Sequence, residues 1–345
     1  MNQSKVSKRV WMWITILIIC ILAALSWCFY RVTGMTSYNM DGDAPVSLYV
    51  YPGDDWGTVA SKLGETTSVR HKRDLALVGS LGDAPCAGHY RVRPDETTLG
   101  LYRMVSRGLQ SPVRITFSTT REVGQLWRRL SDQLMCDSAA IATAMTDRAL
   151  LDSLDIRDST LAFHLIPNTY EVYWTDSARS VVRRLARESR AFWSEERLAK
   201  ASALEMTPME VTTLASIINE ESAKRDEYPV IARLYLNRLR RGIPLQSDPT
   251  VLFAIGDRSI RRVLHKHLEV ESPYNTYLYK GLPPGPIRIP SADAIDAVLS
   301  PAKHDYIYMC AKEDFSGYHN FAASYSEHMR NARAYATALN ERNIH

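Results

Sequence analysis

Hydrophobic and polar positions divide this chain into an apolar stretch, a short polar link and two differently patterned regions. Val10 to Tyr30 is an unbroken apolar run without a charge, long enough to cross a bilayer as a helix. Residues 31–45 are polar and turn-rich, a linker. Val46 to Tyr51 then alternates as a strand does and stops at Pro52-Gly53. Helices are predicted from the Asp54-Asp55 cap through Leu63, over Val69–Leu81 and over Thr97–Arg107, with strands at His89–Arg93 and Val113–Phe117. These make a small α+β unit. From Thr120 the pattern turns helical, over 120–135, 138–153 and 178–201, interrupted by the aromatic-rich Phe163–Trp174. A further helix starts at Thr207, another covers Tyr228–Arg241 and closes on Gly242, and the tail reads as a strand (Asp305–Ala311), a returning arm and a helix from Ser324 to Leu339.

The helix from Thr207 carries the most pointed chemistry. Thr207 is its N-cap, Pro208 its first residue, and Glu210 closes a capping box. At helical spacing Leu214, Ile217 and Ile218 share a face with Glu221, while Glu220 falls with Thr213 and Ser216 on a polar face. A carboxyl on an apolar face near a helix C-terminus holds its proton for two reasons, desolvation and the negative end of the helix dipole. A general acid working at neutral pH needs that environment.

Composition narrows the picture. Of 345 residues, 46% are hydrophobic and 23% charged, so the chain is globular, and the net charge of +4 with no basic aromatic stripe gives no reason to expect nucleic acid. Lys5, Lys8 and Arg9 precede the apolar run and only Arg31 follows closely. Residues 1–9 are therefore expected in the cytoplasm and everything after the 10–30 anchor is expected to be exported. The run is too long for a typical cleaved signal peptide. Cys86, Cys136 and Cys310 show no metal spacing, and no nucleotide loop, serine elbow or zinc motif is present in the sequence.

Other constellations suit a sugar site. Gln246 and Asp248 share a loop stiffened by Pro249, and Tyr274, Asn275 and Tyr277 precede the stiff turn Gly281–Pro286. Aromatic faces stack on sugar C–H surfaces, and amides bond hydroxyl and N-acetyl groups. His319 and Asn320 sit on the returning arm of the tail, with His319 read first as an ordinary satisfied histidine. His265 and His267 are expected on one side of a strand, without a third ligand for zinc.

The strings Ala215–Ser222, Leu236–Leu239, Leu245–Val251, Tyr274–Tyr277, Gly281–Gly285 and His319–Phe321 resemble the YceG-like family of endolytic murein transglycosylases. The resemblance runs from about residue 46 to the end. It implies an α+β chain: a cytoplasmic tail (1–9), a single transmembrane helix (10–30), a linker (31–45), a small LysM-like domain (46–118) and a mixed α+β catalytic domain (119–345). It also implies non-hydrolytic cleavage of the β-1,4 bond between N-acetylmuramic acid (MurNAc) and N-acetylglucosamine (GlcNAc) inside nascent peptidoglycan, leaving 1,6-anhydro ends. Glycan strands, the cell (inner) membrane and peptidoglycan synthases are the implied partners, and no cofactor or metal is implied. The catalytic glutamate of the family maps onto Glu221, and Ser222 fits its Glu-Ser/Thr pair. One departure is Asn219, where the family often has a further acid; either that acid is dispensable here or Glu220 takes part of its role. Ser222, Gln246, Asp248, Tyr274, Asn275, Asn320 and Glu171 are the expected substrate contacts. Two alternatives stay open: a muramidase-type hydrolase using Asp248 or Glu171 as second carboxylate, and a non-catalytic wall-binding scaffold.

Overall fold

A computed structural model describes residues 3–34, 38–39, 44–66, 68–69, 72–156, 158–257, 259–260 and 263–342. The chain divides into two units, residues 1–114 with 171–176, and residues 115–170 with 177–345.

The first unit begins with helix α1 (Gln3–Thr33), which from Arg9 to Thr33 is long and apolar enough to cross a membrane. A two-residue strand β1 (Tyr38–Asn39) pairs with β3 (Ser68–Val69). Strands β2 (Val46–Val50) and β4 (Gly88–Val92) pair antiparallel with Leu48 opposite Tyr90, and between them in sequence lie α2 (Trp56–Thr66) and α3 (Lys72–Ser80). Helix α4 (Thr98–Ser106) follows, with Thr97 accepting from the Gly100 N–H as its N-cap. Of the two aspartates before α2, Asp55 is the cap, taking the Thr58 N–H at 2.7 Å, while Asp54 accepts from Tyr51 N–H. Alternation on β2 sends Leu48 and Val50 inward, onto Val59, Leu63, Leu75, Tyr90, Leu101 and Val105. Gly79 is needed where α3 crosses Trp56, since a Cβ there would lie 2.1 Å from the indole.

Residues 171–176 return to the first unit. There the Trp174 ring stands edge-on to Tyr49 and Tyr51, with centroids 5.1 and 4.8 Å away.

Strands β5 (Val113–Thr116) and β6 (Thr169–Val172) pair. The second unit then holds α5 (Val123–Ser131), α6 (Ser138–Thr146), α7 (Arg148–Ser153), a 3-10 turn at Asp158–His164, α8 (Ala178–Phe192), α9 (Glu195–Ala203), α10 (Pro208–Glu221), α11 (Tyr228–Arg240), α12 (Asp248–Ile255) and α13 (Ala292–Leu299). It closes with the antiparallel hairpin β7 (Tyr308–Ala311) and β8 (His319–Ala322), and with α14 (Tyr325–Glu341) capped by Ser324. Two long predicted helices are each split by a capping residue. Asp147 ends α6 and caps α7 by accepting from Leu150 N–H, and Ser194 caps α9 after Trp193 breaks α8.

Helix α10 lies at the centre of this unit's core, against α11 and α13. Val211, Leu214, Ile217 and Ile218 are fully buried with Ile231, Leu234, Ile295 and Val298. Each such side chain contributes about 2 kcal/mol of burial. The polar face expected through Thr213 and Ser216 is also inside the core. The Ser216 hydroxyl is satisfied there: Ser216 Oγ donates to the Thr213 carbonyl and accepts from Ile287 N–H. A helix enclosed on all sides has no solvent face for those residues to mark. The histidines expected on a strand, His265 and His267, instead occupy one 3-10 turn, with His267 Nδ1 accepting from Leu264 N–H.

Candidate active site

The capping box of α10 is formed as its sequence predicts, Thr207 Oγ1 accepting from Glu210 N–H and the Glu210 carboxylate accepting from Thr207 N–H. It fixes where the helix starts and therefore which residue stands at its end. Glu221 is the last helical residue, and Ser222 leaves the helix in an extended conformation.

That helix end is held from several directions. The Glu220 carboxylate accepts from Arg121 and, at 2.8 Å, from Arg288, whose guanidinium also reaches the Asn219 carbonyl. Cations at a helix C-terminus complement its dipole. Asn219 Oδ1 accepts from Ser291 N–H at the start of α13, and its Nδ2 donates to the Tyr228 hydroxyl. Ser222 Oγ donates to Glu227 Oε2 at 2.8 Å, and Glu227 also takes the His319 N–H and lies 2.9 Å from His319 Nδ1. Glu220 is thus engaged by two guanidiniums, and Asn219 clamps α13.

Glu221 faces a cleft of about 420 Å³. Its Oε1 accepts hydrogen bonds from the Tyr235 hydroxyl, at 2.6 Å, and from Ser247 Oγ. Burial pushes the carboxyl above the ordinary carboxylate range. The two hydroxyl donors pull it back, Asp248 adds to the rise and His319 opposes it, leaving a net upward shift. Ser247 stands at the N-cap position of α12 yet makes no capping bond, because its hydroxyl is turned to Glu221. Asp248, the first residue of α12, accepts from the Tyr277 hydroxyl at 2.6 Å. Gln246 has a left-handed backbone, φ 54°, and its side chain accepts from Arg238. A buried acid with hydroxyl donors on one oxygen can give up a proton and stabilise the charge that remains.

The profile of the YceG-like family matches residues 48–334. The chain belongs to the YceG-like family. This YceG-like chain is 25% identical over 320 residues to a Bacillus subtilis (strain 168) protein named endolytic murein transglycosylase, with 88% of each chain covered. A Streptococcus pneumoniae serotype 2 protein of the same name is 29% identical over 279 residues, covering 71% of this chain and 50% of that protein. The chain thus spans about half the length of the pneumococcal relative. A crystal structure of a yceG-like protein from Listeria monocytogenes shares the fold, with a TM-score of 0.54 at 23% identity, covering 83% of this chain and 98% of that one.

In the YceG-like cleft, Gln246, Asp248 and Tyr277 line the wall beside Glu221. Four expected contacts lie elsewhere. Asn275 is fully buried, donating to the Leu268 and Val270 carbonyls at 2.8 Å and accepting from Tyr277 N–H. It shapes the loop that presents Tyr277 and has no free amide for a ligand. Tyr274 packs on Phe253, ring centroids 4.7 Å apart, and on the core. Asn320 donates to Glu313 across the hairpin, and Glu171 is an exposed β6 residue in the first unit. Ser222 has its hydroxyl committed to Glu227, and only 5% of the residue is exposed. Sequence reasoning missed Tyr235, Ser247 and Arg238. The first reads as a core residue of an amphipathic helix, and Ser247 before Asp248-Pro249 carries an ordinary N-cap signature. His319 lines the cleft, with its Nδ1 engaged by Glu227.

Proposed function

We propose that the chain is a membrane-anchored endolytic murein transglycosylase with Glu221 as its single acid and base. The supporting observation is the part-buried Glu221 carboxyl, pushed by desolvation above the ordinary carboxylate range and held by Tyr235 and Ser247 at the wall of an open cleft. Glu221 donates its proton to the glycosidic oxygen between MurNAc and GlcNAc, and the C1–O bond breaks with its electron pair on the departing GlcNAc. An oxocarbenium-like centre remains on the muramyl sugar. The new carboxylate, stabilised by two hydroxyl donors, then removes the proton of that sugar's C6 hydroxyl as O6 attacks C1. A 1,6-anhydro end forms and Glu221 is again protonated. Holding the C6 hydroxyl within its own sugar replaces an external water. Gln246, Asp248 and Tyr277 position the strand.

Lys5, Lys8 and Arg9 at the start of α1 favour a cytoplasmic N-terminus, with the chain beyond α1 exported across the inner membrane. The antiparallel β2–β4 pair flanking α2 and α3 supports a LysM-like, glycan-gripping first unit. Action on nascent strands makes peptidoglycan synthases the natural neighbours.

Asp248 favours a second reading. It is a carboxylate in the same cleft whose field reaches Glu221, so it could serve a hydrolase as second acid. Product mass separates the two, because anhydro ends lack one water and have no reducing terminus. Purified protein incubated with glycan strands should release anhydro-ended fragments, and Glu221→Gln should lower the rate by about 10³-fold. Reducing ends would favour the hydrolase. Parent-like cleavage by Glu221→Gln would remove this acid from the reaction, and no cleavage by the parent would leave a binding scaffold.

A further inference from the structure

The Glu221 cleft also holds a buried cation that makes no ion pair among the described residues. Arg238, on α11, is only 8% exposed. Its Nη2 donates to the neutral Gln246 Oε1, its guanidinium lies 6.0 Å from the Tyr308 ring centre, and its Nε has no hydrogen-bond partner among the described residues. Burial pulls the guanidinium below its ordinary value, though an arginine stays charged. A buried charge without a counter-ion is costly, and that cost falls when an anion arrives. His328, on α14, also turns an unused polar atom into the site: its Nδ1 is buried and has no partner among the described residues, and its ring stacks on Tyr308 with centroids 5.1 Å apart. Tyr325 packs against both rings and lines the same cleft. Asp248, in that cleft, is engaged by the Tyr277 hydroxyl. Gln246, which accepts from Arg238, has a left-handed backbone, a conformation that side-chain-bearing residues rarely adopt.

We propose that Arg238, His328, Tyr308 and Tyr325 form a carboxylate subsite that takes a carboxylate borne by the muramyl residue. The proposal rests on the murein reading and deepens it. A guanidinium fork matches a carboxylate in geometry and charge. The strand offers two sources of that group, the lactyl carboxylate of a peptide-free muramyl sugar and the carboxylates of its stem peptide. Bound here, either one anchors the muramyl side of the strand in the cleft that contains Glu221.

The test uses full-length Glu221→Gln protein in detergent micelles, which binds without cutting. Calorimetry compares three GlcNAc–MurNAc tetrasaccharides: one with stem peptides, one peptide-free with a free lactyl carboxylate, and one peptide-free with that carboxylate amidated. At least one carboxylate form should bind about 10- to 100-fold more tightly than the amide, and the favoured one identifies the source. Adding Arg238→Met should abolish the preference while the amide is still bound, which shows that the cleft is still folded. Adding Arg238→Lys should retain part of the preference. Equal binding of all three probes, or a preference that survives Arg238→Met, overturns the subsite. No binding of any probe overturns the subsite and the murein reading together. A clear preference in a protein whose parent form cuts no strand leaves the subsite standing and removes the transglycosylase.

Discussion

At the scale of single residues, Glu221 sits between opposing influences. Burial favours its neutral form, while Tyr235 and Ser247 favour its carboxylate. The same balance makes it a stability liability. Because the folded protein binds this proton more tightly than the unfolded chain does, stability falls as pH rises from the ordinary carboxylate range through the raised folded value. Below that range both states are protonated and the group contributes nothing. Glu221→Gln keeps an acceptor for Tyr235 and Ser247 but never ionises. Thermal unfolding should therefore show the variant a few degrees more stable than the parent at neutral pH, with the gap closing on acidification. A variant less stable at neutral pH would mean that the carboxyl is not held neutral by burial. The apolar surroundings of this acid were legible from Leu214, Ile217 and Ile218, because helical spacing alone puts them on its face. Ser247 was not legible, since a serine before Asp-Pro gives the same signal whether it caps a helix or bonds a distant carboxyl.

At the scale of elements, local chemistry was readable wherever a motif satisfies its own backbone. The capping box of α10, Thr97 before α4 and Ser324 before α14 all name helix starts, and the left-handed Gly242 follows the end of α11. Periodicity ran through Asp147 and Ser194 because each is a polar residue that a solvated helix face tolerates; only their bonds to Leu150 and Arg197 reveal new helix starts. Asn275 failed differently. Its loop was recognisable, but an amide facing inward to carbonyls and one facing outward to a sugar have the same sequence. The α10 cap can be weighed directly. Thr207→Ala should cost about 1 kcal/mol, seen as a lower urea midpoint with an unchanged m-value. Cleavage well below the unfolding transition should hardly change, because the cap lies at the opposite end of the helix from Glu221. A large loss of activity at full folding would show that the cap also sets the position of the acid.

At the scale of the whole molecule, the membrane helix was the plainest reading and the division into units the least plain. No composition shift marks residues 171–176 as part of the first unit; that follows from contacts distant in sequence, among them Trp174 packing on Tyr49 and Tyr51 and Thr175 Oγ1 donating to Gln110. The residues proposed for chemistry all belong to the second unit, whereas α1 exposes Trp11, Leu17 and Phe29, among other apolar side chains. Such a surface on a helix of this length calls for lipid around it. Catalysis and anchoring should therefore separate. Removing residues 1–33 should give a protein that no longer floats with liposomes, yet cleaves short soluble glycan strands with kcat within about twofold of the full chain. On strands still attached to vesicles through their lipid carrier the truncated protein should be about tenfold slower or worse, because the anchor confines enzyme and substrate to one surface and raises their effective concentration. Equal slowing on both substrates would place α1 in the folding of the second unit, and equal speed on both would leave the anchor without a kinetic role.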